Sequence, residues 1–470
     1  MRPRLTTFCV LTVATFAACS DASAPTAPAR ATPPSGPART VVNFGSTAIG
    51  APGEVSFIAA INDAGQVALT QNVASDLFGA LWVNGSSQLL HDASSGSTQA
   101  RGLNALGTVV GVASGTGTTP AVWEGGVFAA LSLYPGSTGA IASAINDAGQ
   151  IVGYDPDALF WPDKSAAAPV RLQSPGSSNR PLDINNAGMI VGVTDDGSST
   201  AQAVVWTSAT SASQMLAGLG GTSCQAKSAQ ASAINELGEI VGRCPAPGGG
   251  LHAVYWANKD ATPVDLDLLA GGSLATGINE LGQIIGNSNS SRAMLWSREG
   301  GVFRRFDLGV PGNLDVAVGI ALNNTGQAVL QANDQADVVR QSFLVSIPMR
   351  ATIDVDPGSA ANAIKLSSRG TVTVALLGSR WFRAGDVDPA TLTLGNDDGL
   401  DTRVSSKKGV PVAKLTDVNR DGFVDLVVDF DEGALLNNGD LAVGTQTLVL
   451  LGSTRNGAHV RGTDVASVSK

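Results

Sequence analysis

The stretch "INDAGQIVG" at 145–153 decides how this chain is read, because it is not alone. Related phrases stand at 61–69 ("INDAGQVAL"), 103–111 ("LNALGTVVG"), 184–192 ("INNAGMIVG"), 234–242 ("INELGEIVG"), 278–286 ("INELGQIIG") and 322–330 ("LNNTGQAVL"). Each copy has Asn followed three residues later by Gly: Asn62/Gly65, Asn104/Gly107, Asn146/Gly149, Asn185/Gly188, Asn235/Gly238, Asn279/Gly282 and Asn323/Gly326. Asn at the first place and Gly at the fourth is the chemistry of a type I turn whose last residue takes positive φ. The phrase therefore reads as a strand end, a tight turn and an antiparallel strand start. It punctuates a fold.

The Asn residues recur at intervals of 42, 42, 39, 50, 44 and 44. Six copies carry a Trp at the end of a second apolar run: Trp82, Trp123, Trp161, Trp206, Trp256 and Trp296. A period near 44 with several short strands per unit predicts a β-propeller with one four-stranded blade per repeat. Each Trp is large enough to wedge between adjacent blades. Gly111, Gly153, Gly192, Gly242 and Gly286 fall inside the second strand, which points to close backbone approach there. Fourth strands are expected at 87–91, 127–133 and 264–269. The seventh copy runs into Pro348 without one. The segment "TVVNFG" at 40–45 is expected to supply it and so close a ring of seven blades without an open edge.

The Asn–Gly–Trp skeleton, with "HAVYW" at 252–256, "QAVVW" at 202–206 and "RAMLW" at 292–296, resembles the HAF family of bacterial extracellular repeats. The resemblance implies a secreted or surface propeller-like protein and brings no catalytic residues with it.

"MRPR" followed by the apolar run from Leu5 to Ala18 is an export signal too short to act as a membrane span. "FAACSD" resembles a bacterial lipoprotein box, which implies that Cys19 becomes a lipidated N-terminus. Ordinary cleavage near Ala18 is the alternative. The expected organisation is thus a signal at 1–18, a flexible Ala/Pro/Ser-rich tether at 19–39, the propeller at 40–348 and a further domain at 351–470. Beyond the signal and Cys19 the chain has two cysteines, Cys224 and Cys244, which in an exported protein are expected to form a disulfide. A net charge of −10 with no basic stripe excludes a phosphate-backbone partner. A monomer is expected, touching a membrane only through its anchor.

From 351 the period disappears, and alternating runs such as "TVTVALL" and "FVDLVVDF" predict a small β-sandwich. The opening "IDVDPGS" resembles a tail module of exported bacterial proteins. Within it, "DVNRDGFVD" at 417–425 places oxygens at Asp417, Asn419, Asp421, the Phe423 carbonyl and Asp425, a donor set for Ca²⁺. Val428 stands where an EF-hand would have its twelfth-position Glu, and the loop resembles the β-hairpin calcium loops of FG-GAP repeats instead. An Asp/Asn-rich turn without metal is the alternative, and "NDDGLD" at 396–401 reads as such a turn.

No nucleophile elbow, zinc-helix or phosphate-loop motif is present. The turns bring Asp63, Asp147, Glu236 and Glu280 toward one end of the channel, where a carboxylate pair could cleave a glycan. Loops of unequal length, "YDPDALFW" against "RCPAPGGGLHAVYW", lie at the other end, where recognition is expected. The lone His252 reads as a packing residue of the repeat. The sequence thus predicts an all-β, non-catalytic, outer-membrane or cell-surface lipoprotein that binds an extracellular polysaccharide or a surface protein. The alternative is a propeller hydrolase or lyase acting on an extracellular polysaccharide.

Overall fold

The computed structural model describes residues 45–470 except 75, 92–95, 116, 175, 177, 196–199, 268–271, 289–291, 300, 335–339, 360, 367–369 and 397–401. The signal, the tether, Cys19 and most of the 396–401 turn lie outside the described residues.

Seven sheets follow one another as blades of a propeller. Blade 3 is typical. Its strands Ile141–Ile145, Ile151–Asp155, Asp157–Trp161 and Val170–Arg171 pair antiparallel in chain order from the channel outward. Both faces of a blade are covered by its neighbours, so the middle strands read as near-continuous apolar runs. Ile151 and Trp161 pack toward blade 2, while Val152 and Phe160 pack toward blade 4. The ring therefore has seven cores, one in each gap between blades. The six repeat Trp residues occupy six of them, with Phe343 in the core between blades 6 and 7, and four also donate an indole N–H to a carbonyl of the preceding blade: Trp161 to Ser132, Trp206 to Gln173, Trp256 to Ala217 and Trp296 to Leu266.

The turn glycines Gly65, Gly107, Gly149, Gly188, Gly238, Gly282 and Gly326 all adopt positive φ, between 68° and 82°. Six of them donate the N–H to the carbonyl of the Asn three residues earlier, as Gly149 does to Asn146 at 3.1 Å. Gly326 differs in lying against the chain that leaves the ring, where its carbonyl accepts the Ile347 N–H at 2.8 Å. The second-strand glycines are needed for space. A Cβ on Gly153 would lie 2.0 Å from the Ile141 carbonyl oxygen of its own blade, and on Gly242 2.0 Å from that of Gln230.

Blade 7 is completed from the N-terminal side by Ser46–Ile49, and of the expected segment 40–45 only Gly45 lies within the described residues. Ser46 to Ile49 pair with Val345 to Ser342, and Gly45 accepts a hydrogen bond from Ser346. Positive φ at Gly50 and Gly53, with Glu54 capping Ala51, turns the chain within five residues into the inner strand of blade 1, Val55–Ile61. Two outer strands are shorter than expected, Val127–Ala130 and Val264–Asp265, while Ser86–Leu90 has the expected length one residue earlier.

The C-terminal region forms one nine-stranded sheet wrapped on a single core that includes Val374, Leu376, Phe430, Leu448 and Leu450. The expected sandwich-like layering thus comes from one sheet and not from two. Two pairings in it are parallel: His459–Ser469 beside Met349–Val355, and the same strand beside Ala363–Lys365. The short helix Glu432–Asn437, capped by Asp431, packs Leu435 into this core.

The C-terminal region docks on the end of the ring that carries the Asn turns. Leu281, third residue of the blade 6 turn, is buried in the C-terminal core. Arg350 donates to the carbonyls of Arg298 (2.7 Å) and Leu281 (3.0 Å), Gln283 donates to that of Pro348 (2.7 Å), and Arg461 grips Glu299 at 2.8 and 3.2 Å.

Substituting Leu281 by Ala removes an aliphatic side chain from that core, while the exposed Leu106, same place in blade 2, is its internal control. Urea unfolding should show Leu281→Ala less stable by about 2–4 kcal/mol and Leu106→Ala nearly unchanged.

Candidate functional site

The seven repeat asparagines, each at most 7% exposed, form a closed hydrogen-bonded ring. Asn62 Nδ2 donates to the Asn104 carbonyl, Asn104 to Asn146, Asn146 to Asn185, Asn185 to Asn235, Asn235 to Asn279, Asn279 to Asn323, and Asn323 back to Asn62, at 2.9–3.2 Å. Each Oδ1 accepts the backbone N–H four residues on, for example Gln150 to Asn146 at 2.9 Å. One side chain thus shapes its own turn and ties it to the next blade.

The glycine half of the repeat signature belongs to the fold and not to a site. None of Gly65, Gly107, Gly149, Gly188, Gly238, Gly282 and Gly326 lines the channel cavity described below. Several sit against the side chain that starts the second strand of the preceding blade. A Cβ on Gly65 would lie 3.1 Å from Gln327 Oε1, on Gly107 2.8 Å from Gln66 Oε1, on Gly188 3.6 Å from Gln150 Oε1, on Gly238 3.9 Å from Met189 Sδ and on Gly282 3.7 Å from Glu239 Oε2. On Gly326 it would meet the Ile347 carbonyl oxygen at 2.8 Å. Positive φ favours glycine at all seven places, and at Gly326 the Ile347 backbone carbonyl excludes a side chain as well.

A second ring lies beside the first, at the residue after each Asn. The backbone N–H of Ala105 donates to Asp147, Asp147 to Asn186, Asn186 to Glu236, Glu236 to Glu280, Glu280 to Asn324, and Asn324 to Asp63. The ring is broken only at Ala105, which offers no side-chain oxygen to Asp63. The four carboxylates Asp63, Asp147, Glu236 and Glu280 are therefore distributed around a rim, each accepting a neighbour's amide. Burial, and then the negative charges of Glu236, Asp63 and Glu239, push the Glu280 carboxyl up to about 8. Burial also raises Glu236, opposed by the nearby Arg380 of the C-terminal region.

Below the rings the inner strands enclose a channel cavity of about 200 Å³. Every inner strand has a β-bulge three residues before its Asn, at Ala59, Arg101, Ser143, Leu182, Ser232, Thr276 and Ile320. A bulge leaves one residue unpaired and re-aims it. All seven line the cavity. Ser143 and Thr276 donate onward to the carbonyls of Pro181 and Gly319 in the next blade, both at 2.8 Å. Asp183 also lines the cavity, accepting the N–H groups of Ile184 and Ile234, both at 2.9 Å. Burial, partly offset by those two bonds, raises its carboxyl to about 7. Sequence reasoning missed both the rings and Asp183. The signal was available: aligned on Asn, the repeats place Ala or Gly two residues earlier in six blades and Asp in one.

The opposite end of the ring carries the loops between second and third strands and the connections between blades. The longest pair lies at blades 4 and 5, where the connection bearing the 3₁₀ turn Leu219–Gly221 is joined to the strand Ile240–Pro245 by the Cys224–Cys244 disulfide. His252 is no isolated ligand: its Nδ1 lies 2.9 Å from Asp265 on the outer strand. Blade 6 has Arg292–Asp307 at this place, and blade 3 has the reverse, Asp157–Arg171.

In the 417–425 loop, Asp417 accepts the N–H of Gly422 (3.0 Å) and Asp421 that of Phe423 (2.9 Å), while the Asn419 amide donates to Asp421 (2.8 Å). Asp425 is turned away into the sheet, fully buried, its two oxygens accepting Gly378 and Val418 N–H groups. Among the described residues, no three His, Cys, Asp or Glu side chains are grouped to hold a metal, and no helix is long and apolar enough to cross a membrane.

The chain matches no family model and no curated protein. Among solved structures it is similar to a prolyl endopeptidase (10% identity, TM-score 0.43, covering 73% of this chain and 55% of that one). It is also similar to TolB from Acinetobacter baumannii (9%, 0.28, 62% and 55%) and to YCF48 bound to D1 peptide (11%, 0.36, 65% and 97%). The first two matches span about half of the other chain's length.

Glu280 gives the fold a pH dependence of definite sign. An unfolded Glu titrates near 4.5 and the folded one near 8. Between those values the native state holds the extra proton, so stability falls as pH rises. Urea midpoints measured from about pH 5 to about pH 8 should fall less steeply in Glu280→Gln, whose amide oxygen still accepts the Glu236 N–H.

Proposed function

We propose that this chain is an exported surface lipoprotein, anchored through Cys19, whose propeller binds an extracellular polymer or envelope partner without cleaving it. The observation that carries the reading is the asymmetry of the two ends. The C-terminal region docks on the Asn-turn end, leaving the unequal loops of the other end clear. Loops on a rigid scaffold are the usual seat of recognition. The hydrolase alternative needs two carboxylates converging on one bond, and the turn carboxylates are instead spread around a rim and engaged with backbone amides.

The test exposes the exported full chain to a panel of polysaccharides and envelope fractions, with retention and released fragments scored together. Retention without fragments, lost when 246–250 is replaced by a two-residue Asn-Gly turn, is the expected result. Fragments that disappear in Glu236→Gln or Glu280→Gln would establish the hydrolase instead.

We also propose that the 417–425 loop takes a structural Ca²⁺. Asp417, Asn419 and Asp421 on one exposed turn, with the Phe423 carbonyl, suit a hard cation in donor type. Asp425 meets that role only in part, since both its oxygens already accept amides. Millimolar Ca²⁺ should raise the melting temperature of the native protein and leave Asp417→Ala unchanged. Equal melting with Ca²⁺ and with chelator would mark the loop as a metal-free turn.

A further inference from the structure

The seven repeats provide an internal control for what the fold requires at each place along the channel. Two residues before the Asn stand Ala60, Gly102, Ala144, Ala233, Gly277 and Ala321, and in blade 4 Asp183. The place favours small residues because inner strands crowd there: a Cβ on Gly102 would lie 3.0 Å from Ala144 Cα. At the bulge position one residue earlier, Arg101 is the one charged side chain of the seven. Six blades close the ring without the first charge and six without the second, so neither answers a need of the architecture.

Both carry a cost. Asp183 loses its hydration, and no described cation forms an ion pair with it. Arg101 donates to Gln99 Oε1 at 2.8 Å and likewise forms no ion pair with a described residue. Departures from a local rule without a compensating gain in the fold are where function is to be sought. Both groups open on the same cavity, whose volume of about 200 Å³ is the room of some seven waters at ~30 Å³ each. That is room for a molecule of amino-acid size.

We propose that the channel is a binding site for a small zwitterion, its ammonium group held by Asp183 and its carboxylate by Arg101. A simple cation would leave the guanidinium unpaired, and a simple anion would face the carboxylates of Asp183 and, beyond it, Glu236. A molecule bearing both charges gives each wall group a charge-assisted partner. The remaining walls, including Leu182, Ile320 and Ala59, suit a short aliphatic spacer. This site is separate from the loop end and stands or falls independently of it.

The test is calorimetric titration of the full-length protein with glycine, β-alanine, 4-aminobutyrate and 6-aminohexanoate, a series that varies only the charge separation. Methylammonium and acetate are the single-charge controls. One spacer length is expected to bind and the controls are not. Asp183→Ala and Arg101→Ser, each borrowing the residue of another blade, should weaken binding roughly tenfold or more. Asp183→Asn, which removes the charge and keeps an amide oxygen for one of the two backbone N–H groups, should also melt no lower than the parent. The proposal is overturned if no member of the series binds, if binding survives both substitutions, or if methylammonium binds as tightly as the best zwitterion. Marked destabilisation of Asp183→Asn would equally sink it, by showing that the charge itself serves the fold.

Discussion

The propeller depends on one hydrogen bond made seven times: an Asn amide donating to the backbone carbonyl of the next Asn around the ring. A blade has no core of its own and buries its faces only against neighbours, so the gap between blades is the unit of stability. Apolar packing fills each gap but is not directional. The Asn amide supplies direction at the point where blades come closest. Its Oδ1 fixes the turn and its Nδ2 fixes the next blade, so local and long-range geometry share a side chain and cannot drift apart. In six blades the carbonyl that receives it also accepts the turn glycine's N–H, which uses both lone pairs of a buried oxygen.

That double use explains what is legible in the sequence. The type I turn, its glycine and the blade period follow from local chemistry and spacing, and the wedge role of Trp follows from its size. Local chemistry assigns the Asn to its own turn, which is half of its work. Its other partner lies 39 to 50 residues away, or 261 across the closure, and becomes visible only once the ring is closed. The same holds for Glu236 and Glu280. As sequence they are exposed polar turn residues, and as structure they accept amides from adjacent blades. The docking of the C-terminal region through Leu281 has no local signature, because Leu106 and Leu237 occupy the same place and stay exposed.

Asp183 and Arg101 illustrate a different kind of legibility. Neither is part of a motif, and neither would be noticed in a chain without repeats. Within this chain, six other copies report what each place ordinarily holds, so a departure carries information that a single sequence rarely supplies. The bulges make the comparison sharp, since all seven present a side chain to the cavity from the same backbone geometry.

Six blades are continuous in the chain from first strand to last, and only blade 7 joins segments almost 300 residues apart, at Ser46–Ile49 against Arg340–Ser346. The ring consequently has a seam. Peeling that four-residue outer strand removes the backbone pairing that clasps blade 7 to the chain of blade 1, and leaves the apolar core of that gap and the Asn323–Asn62 hydrogen bond to hold it. The short strand and its buried Ile49 add a clasp to a gap that is otherwise held like the other six. A force applied through the N-terminal side would reach this seam before it reached any blade interior.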